Sequence, residues 1–115
     1  MINAICPLGE EGEEDMSGES LKPPLANGLT LMLGGPGEGY KGTLRLQADG
    51  TGVGLSVQDN GIIFDLTGTW TIEDNQFCRK WKFNNFKKKC ETWRKVGDNK
   101  VVVLIDGKKI RVNSW

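Results

Sequence analysis

The chain has 115 residues, one domain's worth, with 16 glycines, 4 prolines, 3 cysteines, no histidine and a formal net charge of zero. Without histidine there is no Ser-His or Cys-His nucleophile and no imidazole metal ligand, and three cysteines with no Cys-x-x-Cys pair argue against a zinc site. No apolar run approaches the roughly 18 residues that a membrane-spanning helix needs.

Charge is unevenly spread. Residues 1–20 carry Glu10, Glu11, Glu13, Glu14, Asp15 and Glu19 and no base, a net −6, so the remainder is +6. Such an acidic tail beside a basic body serves an anionic partner or folds back on the body. Residues 1–27 show no apolar periodicity and contain the Pro23-Pro24 pair. They read as a disordered or loosely draped leader, with the folded domain spanning 28–115. Met1–Leu8 is too short, and lacks the basic start, for a secretory signal.

From Leu29 onward the pattern predicts about eight short strands, near 29–33, 42–48, 51–58, 62–73, 76–83, 88–96, 100–105 and 108–115. The glycine-rich stretch Gly34–Gly39 between the first two lacks a Walker lysine-serine and precedes no helix, so it reads as a flexible loop. Asp49-Gly50, Asn60-Gly61 and Asp106-Gly107 are type I′ hairpin signatures, and Asp74-Asn75 is a weaker one. Two-residue loops at the first two and at Asp74-Asn75 set Leu46 opposite Val53, Leu55 opposite Leu66, and Gly68 opposite Trp81. One apolar face results: Leu44, Leu46, Val53, Leu55, Val57, Phe64, Leu66, Trp70, Ile72, Phe77, Trp81 and Phe83. A slip of one residue would reverse the assignment of a strand. The last hairpin pairs Val103 with Ile110 and Val101 with Val112. An antiparallel up-and-down meander with one apolar face curls into a small β-barrel, or alternatively folds into a two-layer β-sandwich; the barrel is preferred because closure removes exposed edges.

Trp70 falls opposite Arg79, an inward cation among aromatics. Arg79 either closes one end of the barrel or marks a site for a ligand carboxylate or phosphate. Trp70, Arg79, Trp81 and Phe83 are therefore the candidate ligand-binding residues. Glu91, if inward, would form an internal ion pair with Arg79. The aspartates lie at turns, no nucleophile–base pair is visible, and the reading is of a non-enzyme with no cofactor.

If residue 84 centres its hairpin, Cys78 and Cys90 lie directly opposite, which predicts a disulfide and an oxidising compartment, periplasmic or secreted. Cys6 is left over as a free thiol or an intermolecular bridge. From just after Cys78 to beyond Cys90, Arg79–Lys95 holds eight bases and one acid. Lys80, Lys82, Lys87, Lys88 and Lys89 there form a candidate surface for an anionic partner, with Phe86 exposed at the turn.

Gly68, Trp70, Cys78, Trp81 and Cys90 together make a G-x-W step, a Cys-x-x-Trp strand and a second cysteine. In this pattern residues 42–115 resemble small bacterial secreted or periplasmic domains of unknown function. That resemblance implies an extracytoplasmic β-domain and no reaction. The G-x-W step also resembles that of lipocalin-like barrels, where it lies near the chain start rather than mid-chain as here. Two functions follow. One is a barrel holding a small apolar or amphipathic ligand. The alternative is a protein- or polyanion-interaction module using the basic 79–95 surface, as a monomer or a homodimer.

Overall fold

A computed structural model describes residues 14–115. The first thirteen residues, Cys6 among them, lie outside the described part. Strands β2 (Leu29–Gly35), β3 (Tyr40–Leu46), β4 (Thr51–Gln58), β6 (Gly68–Glu73), β7 (Gln76–Trp81), β8 (Lys88–Gly97), β9 (Lys100–Ile105) and β10 (Lys108–Ser114) form a closed antiparallel barrel of eight strands. Each pairs with its chain neighbour, and β10 meets β2 through Asn113↔Leu33 and Ser114↔Met32 to close the ring. Two short strands supplement it: β1 (Glu14–Asp15) extends the edge of β8, and β5 (Ile63–Asp65) continues the β4 ladder where β6 has not yet begun. The expected strand 62–73 is thus broken at Leu66-Thr67, where Asp65 Oδ1 accepts the Thr67 amide at 2.9 Å.

The turns explain where the expected register holds and where it fails. Asp74 and Asn75 both take positive φ (49° and 64°), and Glu73 pairs with Gln76 as a type I′ loop demands. Gly68 opposite Trp81 and Trp70 opposite Arg79 follow. At Asp49-Gly50 and Asn60-Gly61 only the glycine has positive φ. Each loop is three residues long, closing Gln47 onto Thr51 and Gln58 onto Ile62. The Asp49 and Asn60 side chains accept the amides two residues ahead, Thr51 and Ile62, at 3.0 Å. Both slips move β4 by one residue, so they cancel for β3 and β5 and reverse β4 alone. Val53 and Leu55, expected inside, are 50% and 49% exposed, while Gly52 and Ser56 are buried. The reversal suits the interior, because a Cβ at Gly52 would come within 2.8 Å of the Trp81 ring.

In the last hairpin Asp106-Gly107 forms the expected tight turn, with Lys108 opposite Ile105. A β-bulge between Lys109 and Arg111 then shifts the register, so Val103 faces Arg111 and Val101 faces Asn113, not Ile110 and Val112. This bulge turns two polar side chains of β10 into the barrel.

The expectation of a loose leader fails from Glu14 onward. Helix α1 (Gly18–Leu25) starts in a capping box, in which Ser17 Oγ accepts the Ser20 amide at 3.2 Å and Ser20 Oγ accepts the Ser17 amide at 2.7 Å. Leu21 and Leu25, one turn apart, are fully buried in the core with Leu31, Leu46 and Trp81. Pro23 and Pro24 fall in the last turn and keep the helix short. The Gly18 amide donates to Asn75 Oδ1 at 2.8 Å, which seats α1 beside the β6–β7 turn and closes that end of the barrel. The acidic run folds back in part: Glu14 and Asp15 lie opposite Lys95 and Arg94, and Asp15 accepts from Arg94 Nε at 2.7 Å.

Aromatic rings fill the closed half. Trp70, Phe77, Trp93 and Trp115 follow one another at centroid separations of 5.8, 4.9 and 6.1 Å. Buried aromatic side chains of this size each remove about 150–250 Å² from water and dominate such a core. Cys78 and Cys90 lie directly opposite and are joined by a disulfide, as expected. No helix among the described residues is long and apolar enough to cross a membrane.

Candidate functional site

The half of the barrel away from α1 is not filled. A cavity of about 150 Å³ lies among β2, β3, β4, β7, β8 and β10. It is open to solvent, and Phe83 and Ile110 of its lining are each 40% exposed. Its walls are mainly apolar, with Leu33, Leu44, Phe64, Leu66 and Phe77 around the Trp81 ring. Its size follows from β4: Gly52 admits Trp81 against the strand, and Ser56 stands where an inward valine would project. A volume of this order holds one benzene-sized ring.

Six polar side chains are set into the apolar wall: Tyr40, Ser56, Gln58, Glu91, Arg111 and Asn113. Glu91 is fully buried and gathers two guanidinium groups and an indole N–H. Its Oε2 accepts from Arg79 Nε at 2.7 Å and also from Arg111 Nη2, and its Oε1 accepts from Trp93 Nε1 at 3.2 Å. Arg79 is 4% exposed and Arg111 22%. Burial pulls both guanidinium groups down, Arg79 to about 10 and Arg111 to about 9, with repulsion from Arg79 adding to the fall at Arg111. Both stay cationic at neutral pH. One carboxylate against two cations leaves one positive charge in the interior.

The hydrogen bonding of these groups is incomplete. Among the described residues, Arg79 Nη1 and Asn113 Oδ1 are buried with no partner. Tyr40 Oη accepts the Val112 amide at 2.8 Å, which leaves its own proton available to donate. Burial raises the Tyr40 phenol above its ordinary value of 10.0, against the opposing pull of the Val112 amide and Arg111, so it is a neutral donor over the physiological range.

Of the residues singled out from sequence, Trp81 and Phe83 line the cavity. Trp70 and Arg79 are not among its lining residues. The Trp70 ring stacks on Phe77 rather than on Arg79, and its indole N–H donates to the Gln47 and Thr51 carbonyls at 3.1 Å, both at the closed end. Arg79 lies behind Glu91, with its guanidinium carbon 5.9 Å from the Phe83 ring centre. The internal Arg79–Glu91 pair is as expected. Arg111, Asn113 and Tyr40 were not legible as site residues. The alternation Ile110-x-Val112 signals the opposite face for Arg111, and only the bulge reverses it.

The lysine surface is present but divided. Lys88 pairs with Glu73 at 2.5 Å and Lys82 with Asp65 at 3.9 Å. Lys80, Lys87 and Lys89 are exposed, and Phe86 is 53% exposed at the turn. Lys89, opposite Arg79, shares the inward-facing register of Arg79 and Glu91 and places another cation toward the open end. Among the described residues no three His, Cys, Asp or Glu side chains converge to hold a metal.

Comparison with protein-family models, with curated proteins and with solved structures finds no match to this chain.

Proposed function

We propose that this protein is a non-enzymatic binding module that holds a small amphipathic molecule in the open half of its barrel. The observation that carries the reading is the solvent-open cavity itself, apolar on most of its wall with a few polar side chains set into it. That combination is what orients a small ligand. The volume limits the buried part of the ligand to about one ring or a short aliphatic chain. The disulfide suits an oxidising compartment, which fits a periplasmic or secreted protein.

Native mass spectrometry of the purified protein tests this. The expected result is added mass, either co-purifying or after incubation with small aromatic and short-chain aliphatic compounds, that is lost on denaturation. A chain that stays bare throughout overturns the reading. A polyanion-binding surface is the second reading, favoured by Lys80, Lys87 and Lys89, which make no ion pair among the described residues. Salt-sensitive retention on heparin would support it, and free passage at low salt would remove it.

A further inference from the structure

We infer that the ligand is a small organic monoanion, its acid group held by Arg111 and Tyr40 and its apolar part lying against Trp81 and Phe83. This rests on the binding reading above and specifies its chemistry. Three independent features of the cavity wall converge on it.

The first is charge. Glu91 neutralises only one of the two guanidinium groups that reach it. A buried charge without a partner is costly, and one further anion completes the pairing. Arg111 is the cation that faces the cavity, and its contact with Glu91 uses Nη2, leaving the remaining N–H groups for a second acceptor. The second is donor geometry. Tyr40 sits beside Arg111 on the wall, holds the Val112 amide with its oxygen lone pair, and has its hydroxyl proton uncommitted. The third is the opposite wall. Trp81 and Phe83 offer flat apolar surface and no hydrogen-bond acceptor to compete with an acid group. Glu91, the one carboxylate lining the cavity, already accepts from Arg79, Arg111 and Trp93. A neutral polar head would leave the excess positive charge in place, and a cation would add to it.

The test compares two probes that share a ring and differ in the head: benzoate and benzyl alcohol. Each is titrated into the full chain and followed by amide NMR. The expected result is shifts confined to cavity-lining residues, with benzoate bound at least about tenfold more tightly than benzyl alcohol. Arg111→Met should bring benzoate down to the affinity of benzyl alcohol and leave benzyl alcohol unchanged. Tyr40→Phe, which removes one hydroxyl, should weaken benzoate several-fold in a folded protein. Equal affinity for the two probes in the unaltered chain overturns the anion inference and leaves the binding cavity standing. If neither probe shifts a cavity amide, both fall together.

Discussion

Arg79 Nε donates to Glu91 Oε2 at 2.7 Å across β7 and β8, one step along each strand from the Cys78–Cys90 bridge. Arg111 reaches the same oxygen from β10. A single carboxylate thereby ties three strands together and keeps two like charges apart. Removing it should cost far more than removing either cation's contact alone. Glu91→Gln leaves two buried guanidinium groups facing each other, so a loss of about 3–5 kcal/mol is expected. Arg111→Met leaves the neutral Arg79–Glu91 pair intact and should cost clearly less. Urea unfolding of the two variants decides it, and equal midpoints would contradict the account.

Tyr40 is the chain's single tyrosine, so phenolate absorbance reports on it alone. Burial holds its phenol above 10.0 in the fold. The sign follows by linkage: the stability associated with the neutral phenol is complete below pH 10 and is lost as pH rises through the folded value. The native titration midpoint should lie above that of the urea-unfolded chain. Coincident native and unfolded midpoints would show that the hydroxyl is not buried in the wall.

The disulfide closes a hairpin whose cysteines are 12 residues apart. A cross-link over a loop of this length contributes about 2–3 kcal/mol, chiefly by restricting the unfolded chain. Cys78→Ala combined with Cys90→Ala should lower the urea midpoint accordingly, and reductant should do the same to the parent protein. An unchanged midpoint in both experiments would mean that the hairpin is held by the Arg79–Glu91 pair and its ring contacts alone.

Much of the barrel is legible in its turns, and the failures have definite causes. Asp74-Asn75 and Asp106-Gly107 take positive φ at both positions; the first sets its implied register throughout, the second only as far as Lys109, where the bulge begins. Asp49-Gly50 and Asn60-Gly61 have the same signature, yet their side chains cap the following amides and select three-residue loops. Nothing local distinguishes the two outcomes; the room needed by Trp81 inside the barrel does. Helix α1 offers only Leu21 and Leu25 as an apolar stripe and carries two prolines, so its burial is a tertiary effect. The site was least legible. Arg111 and Asn113 enter the cavity because of one bulged residue, and hydrophobic alternation cannot report a bulge that brings polar groups inward.

The reversed face of β4 gives the sharpest check on the interior. In the observed register Gly52 lies under the Trp81 ring, and a Cβ there would sit 2.8 Å from Cη2 and 2.9 Å from Cζ3. Those atoms belong to a rigid ring that is only 2% exposed, and it could give way only by moving into the cavity. Gly52→Ala should therefore destabilise by about 1–3 kcal/mol, as overpacked cores do, and should alter the near-ultraviolet circular dichroism of the tryptophans. Val53→Ala, on the outer face at 50% exposure, should change stability by no more than about 0.5 kcal/mol. The alternative register makes the reverse forecast. Val53 would then be a core residue whose truncation leaves a void, and Gly52 would face solvent with space for a methyl group. A large loss for Val53→Ala beside a silent Gly52→Ala would thus refute the inner wall described here, and with it the cavity that Ser56, Tyr40 and Arg111 share.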